Sequence, residues 1–157
     1  MITLTDLIQQ KKDLDAALAA HPDDESAIRT FRRGCISLLE NLAPEGSDPA
    51  VLKIAAGICS DCCLTRVAIS RTAGAESVFP VPASEDERSF CVSVHDRCAS
   101  RLKELDRFYM PEPIERTAPD RQKLLWLIRQ ALSEGNSAKI KAQQDGKQFS
   151  RLFGSRG

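Results

Sequence analysis

Apolar residues recur along much of this chain at three- and four-residue steps, the spacing that lays one ridge along an α-helix. The first such segment carries Leu4, Leu7, Leu14 and Leu18, with Lys11 in one apolar slot. Thr3, followed three residues later by Asp6, supplies a capping-box-like start, and the helix is expected to end near Ala20. A second stripe, Ile28, Phe31, Cys35, Leu38 and Leu42, follows Pro22, which suits a first helical position, and Asp23, Asp24 and Glu25, which suit the positive end of a helix dipole. Gly34 either weakens this helix by about 1 kcal/mol relative to Ala or lets a neighbour approach closely. The two segments predict an antiparallel helical hairpin.

Pro44 to Pro49 break the pattern, with Asp48 as cap and Pro49 as the first turn of a third helix. From Val51 to Ile69 that helix is apolar on more than one side, as expected of a central element. Residues 71–83 read as a linker, extended through Val78-Phe79-Pro80-Val81-Pro82 because proline restricts the residue before it. Ser84-Glu85-Asp86-Glu87 is a capping box, opening a fourth helix with the stripe Cys91, Val94, Cys98, Leu102, Leu105 and Tyr109. Pro111 and Pro113 stop it. A fifth helix is expected from Pro119, capped by Thr117, through Leu124, Leu125, Leu127, Ile128 and Leu132, and closed by Gly135.

The predicted fold is therefore all-α, a bundle of about five helices: an N-terminal helical hairpin plus three longer helices. It occupies residues 1–135, and residues 136–157 form a flexible basic C-terminal tail. A chain of 157 residues with 42% apolar and only 5% aromatic residues agrees, since its core must come mainly from aliphatic residues and cysteine.

Net charge is zero but unevenly placed. Residues 1–48 hold five Lys/Arg against nine Asp/Glu, residues 49–118 nine against ten, and residues 119–157 eight against three. The basic end can attract phosphates, an acidic partner surface or the chain's own acidic half, with Lys139, Lys141 and Lys147 as the expected phosphate or acidic-partner contacts. A small nucleic-acid-associated regulator is one reading, with Arg32 and Arg33 joining those lysines, although no continuous basic recognition helix is present. No apolar run could span a bilayer, and the N-terminus lacks a secretory pattern, so a cytoplasmic location and no membrane partner are expected. In a reducing compartment six cysteines are thiols or metal ligands rather than disulfides.

Cys59, Cys62 and Cys63 share one helical face, and so do Cys91, His95 and Cys98. If the third and fourth helices packed together, these soft ligands would suit zinc or monovalent copper. Copper-holding bundles lined by cysteine are far richer in it, so that family does not extend to this chain. The alternative is that cysteine acts as a small buried hydrophobe on stripes that would be core anyway. A Cys91–His95 nucleophile pair would be buried within an apolar stripe, and no nucleophile–base–orienter set can be assembled, so no enzyme is expected.

Near the C-terminus Phe149, Leu152 and Phe153 stand at i, i+3 and i+4 between cations, the form of a segment that either orders in a partner's groove or folds back to cap the bundle of its own chain or of a dimer mate. Gln148-Phe149-Ser150-Arg151-Leu152-Phe153 resembles the glutamine-led, Leu-Phe-ended peptides that bind bacterial sliding clamps, with Arg151 interrupting the pattern. The expected function is a non-enzymatic protein–protein interaction module: an adaptor, chaperone, inhibitor or assembly factor. A zinc- or copper-binding bundle is the alternative. Heptad-like stripes also allow a homodimer.

Overall fold

The computed structural model describes residues 2–72 and 74–141, with only the helical backbone described over 135–141. Five α-helices dominate: α1 (Leu4–Ala20), α2 (Glu25–Glu40), α3 (Pro49–Cys63), α4 (Glu85–Leu105) and α5 (Arg121–Lys141). A short 3-10 turn, Pro44–Gly46, joins α2 to α3. Between α3 and α4 lies an antiparallel hairpin, β1 (Arg66–Thr72) and β2 (Ala75–Val81), in the register Arg66↔Val81 through Thr72↔Ala75. The protein is mostly helical, and the all-α expectation is corrected by this two-stranded sheet.

Local chemistry explains most helix starts. The Thr3 side chain accepts from the Asp6 N–H, and Ser84 and Glu87 complete a reciprocal capping box at α4. The second helix begins later than Pro22 suggested, because the Asp24 carboxylate accepts from both the Ser26 and Ala27 N–H groups. For the same reason α5 starts at Arg121 rather than Pro119, with Asp120 accepting from the Lys123 N–H at 2.8 Å. Asp48 makes no side-chain cap bond, leaving Pro49 to start α3. At the far ends, α4 stops at Leu105, short of Tyr109, and α5 runs through Gly135 to Lys141. Gly135, expected to close this helix, lies within it.

The largest difference lies at the end of α3. The helix stops at Cys63 instead of Ile69, and Arg66–Thr72 turns into a strand. No glycine or proline marks the stop. Arg32, on α2, is 2% exposed and donates from Nε to the Cys62 carbonyl (2.9 Å) and from Nη2 to Leu64 O (3.1 Å) and Val81 O (2.9 Å). Its Nη1 reaches Pro82 O at 3.2 Å. A cation thus satisfies carbonyls freed at the helix end and at the end of β2, which fixes the departure of the chain from α3. Gly74, at φ +80°, closes the hairpin turn in a conformation that favours glycine.

The core is one cluster. α3 contributes Val51, Leu52, Ala55, Ala56, Ile58, Cys59, Cys62 and Cys63, and packs against α1, α2 and α4. The expected α1–α2 hairpin is present, and a Cβ built on Gly34 would lie 2.4 Å from Leu14 Cδ2, so glycine there lets the two helices approach closely. Lys11 fills its apolar slot by bonding Asp15 (2.9 Å) and Asp61 of α3 (2.8 Å). Burial pulls its pKa down, but the two carboxylates outweigh that and hold it above the ordinary lysine value. On the hairpin, Ala68, Phe79 and Val81 belong to the bundle core, whereas α5 packs on the strands.

Candidate functional site

The cysteines come together from three helices. Cys35 of α2, Cys59, Cys62 and Cys63 of α3, and Cys91 and Cys98 of α4 are all free and buried. Thiol contacts link Cys35 to Cys62, Cys62 to Cys91 and Cys91 to Cys63, while the Cys62 Sγ also donates to Arg32 O at 3.5 Å. Cys35, on the core stripe of α2 and outside the predicted metal set, sits among the same sulfurs.

Cys35, Cys59, Cys62, Cys91 and Cys98 resist ionisation. Burial raises the Cys59 thiol strongly and pushes Cys98 up to about 11. For Cys35 the contact with Cys62 and then burial act in the same direction. In Cys91 the Cys62 contact lowers the pKa, but the Cys63 contact and burial outweigh it, and it is pushed up to about 12. Thiols held neutral are poor nucleophiles and poor ligands until deprotonated.

His95 does not join them. Its ring is buried, with Nε2–H donating to the Glu112 carbonyl at 2.6 Å and Nδ1 lying 3.7 Å from Asp96 Oδ1. It secures the connection between α4 and α5, which runs back over the bundle. Ser60 Oγ donates to Pro113 O, Arg88 Nη1 to Glu115 O (2.9 Å), and Thr65 Oγ1 to Glu115 Oε1 (2.5 Å). Arg116 pairs with Asp96 at 2.5 Å. The six-residue Cys/His set is therefore split, with the sulfurs in contact with one another and the imidazole, also on α4, bonded to the strap. Among the described residues no group of three or more His, Cys, Asp or Glu side chains is placed to hold a metal ion.

A different feature stands out at the surface. α5 carries Leu124, Leu125, Trp126, Leu127, Ile128 and Leu132, and none of them is buried. Leu125, Trp126 and Leu132 are 46%, 47% and 44% exposed. Leu125, Ile128 and Leu132, at i, i+3 and i+7, form one ridge. Arg129 flanks that ridge, and the Lys123 ammonium sits 4.4 Å from the Trp126 ring centroid. The inner side of α5 meets the hairpin across an open groove of about 690 Å³, lined in part by Leu64, Val67, Ile69, Leu127 and Ala131. Leu64 adds a 47% exposed side chain at its edge. A second apolar patch, Phe108 and Met110, lies beyond the end of α4.

The sequence-predicted contacts fall in three places. Lys139 and Lys141 lie on the last turns of α5, and their side chains are outside the described residues. Lys147, Gln148, Phe149, Arg151, Leu152 and Phe153 also lie outside them. Arg32, considered for phosphate contact, is spent on four backbone carbonyls and is closed to any phosphate. What sequence reasoning missed was that α5 leaves its apolar residues partly uncovered, although the run Leu124–Ile128, apolar at five consecutive positions, was a signal.

Fold and surface together define a small helical bundle with an inserted β-hairpin and an amphipathic helix laid on it. No family model, curated protein or solved structure matches the chain. Among the described residues no helix is long and apolar enough to cross a membrane.

Proposed function

We propose that this chain is a non-enzymatic protein–protein interaction module, of the adaptor, chaperone, inhibitor or assembly-factor kind, whose docking element is α5. The observation that carries this reading is that six large apolar residues of one helix stay unburied, three of them about half exposed. Aromatic and aliphatic side chains left in water along one helix are what a partner surface buries on association. The chemistry-bearing groups point the same way: buried thiols and a histidine held on a backbone carbonyl serve the interior, which leaves recognition to the surface.

The test is the double variant Leu125→Ser/Trp126→Ser in the full chain. It is expected to keep its helical circular dichroism while losing the proteins that cross-link to the wild type in its native cell. A variant that retains all of those cross-links would sink the reading.

A further inference from the structure

Surface arginines on the bundle are mostly neutralised by a carboxylate. Arg29 pairs with Glu25, Arg71 with Glu76, Arg97 with Glu45, Arg101 with Glu104 and Arg116 with Asp96, at 2.5 to 3.2 Å. α5 is different. From Arg121 to Glu134 it holds Arg121, Lys123 and Arg129 against a single carboxylate, Glu134, which lines the groove facing the hairpin. Asp120, just outside, is already committed to the Lys123 N–H. No carboxylate among the described residues pairs with these three cations, and all three are exposed.

The cations are placed around the apolar groups. Arg121 stands four residues before Leu125, and Arg129 lies between Leu125 and Leu132, so positive charge borders the ridge. Lys123 and Arg129 stand one turn either side of Trp126. Bringing such a surface against a neutral partner would desolvate cations without replacing their water, whereas carboxylates at the rim would pair with them.

We infer that the partner of α5 is another protein presenting an acidic amphipathic helix: an apolar strip bordered by Asp and Glu. This rests on the docking reading above and adds the partner's chemistry to it. A nucleic-acid duplex offers phosphates but no strip for Leu125 and Leu132. An anionic bilayer offers both charge and apolar depth, and the experiment separates it.

Trp126 is the only tryptophan in the chain, so its fluorescence reports this surface directly. The full chain is titrated with an 18-residue helical peptide carrying Leu at i, i+3, i+4 and i+7 and Glu at its borders. A shift of the Trp126 emission to shorter wavelength is expected, saturable and weakened about tenfold or more from 50 to 500 mM salt, because rim pairs are screened. Arg121→Glu/Arg129→Glu is expected to weaken binding at least tenfold, with unchanged circular dichroism.

Three parallel titrations use the same peptide with Lys in place of Glu, phosphatidylglycerol vesicles, and a 20-base-pair DNA duplex. Equal binding of the Lys peptide overturns the charge argument, and so does a silent Trp126 with the Glu peptide. A response to vesicles or duplex alone overturns the choice of a protein partner. Should the Glu peptide fail while Leu125→Ser/Trp126→Ser still loses its native cross-links, docking stands and only the acidic chemistry falls. Retained cross-links would remove the docking reading itself.

Discussion

The centre of the bundle and the surface of α5 use similar apolar content to opposite ends. In the centre, cysteines and aliphatic residues from α2, α3 and α4 are packed out of water, and a buried cation beside them, Arg32, is bonded to four carbonyls. On α5, leucines and a tryptophan remain half in water, with cations that lack carboxylate partners among the described residues. The contrast separates groups that maintain the fold from groups available to something else. Changes in the first region should cost stability, and changes in the second should cost little.

The largest effect should come from alkali. Cys35, Cys59, Cys62, Cys91 and Cys98 all have folded pKa values raised above the ordinary thiol value. Below that value both folded and unfolded chains keep the protons, and stability is complete. Above it the unfolded chain ionises while the folded one does not, so stability falls as pH rises toward the folded values. Each such thiol removes up to about 1.4 kcal/mol per pH unit once its unfolded counterpart has ionised. Lys11, raised as well, loses its contribution in the alkaline range in the same sense. Urea melts at pH 8, 9 and 10 should show a collapse above about pH 9. A flat profile would mean that the thiols ionise in place, and the contrast between the regions would blur.

Next comes Arg32→Met, which strips donors from four carbonyls and should cost about 3 to 5 kcal/mol, read by denaturant unfolding. Arg32→Lys should rescue little, since an ammonium cannot reproduce the planar fork. Gly34→Leu forces α1 and α2 apart at Leu14 and should cost about 1 to 3 kcal/mol by the same measurement. The smallest effect belongs to α5: Leu125→Ser/Trp126→Ser should change unfolding free energy by less than about 1 kcal/mol. A cost near that of Arg32→Met would mean that α5 is part of the core after all.

How far the sequence carried follows from where its signals lie. The helices α1, α2 and α4 were legible because stripe and cap agree locally, most clearly at Ser84 and Glu87. The hairpin was not. Val67 and Ile69 fit a helix ridge as well as a strand, and the decision rests on Arg32, more than thirty residues away. Thr65, Val67 and Ile69, β-branched residues at every second position, followed by Gly74, were the available hint. For the cysteines, placing them on buried faces followed from periodicity, while the rotation of His95 toward Glu112 did not, because the strap it holds has no periodic pattern.

The guanidinium of Arg32 writes a secondary-structure boundary from a distance, and this has a consequence for any shortened chain. Two of its four acceptors, Val81 and Pro82, arrive only after the hairpin has been made. A fragment ending before them leaves the stretch after Cys63 with only half of its anchor, the Cys62 and Leu64 carbonyls, and the local apolar ridge would then coil onward toward Ile69. The same six residues, 64–69, would take one shape in a nascent piece and another in the finished molecule, so fragments are unsuitable stand-ins for the whole.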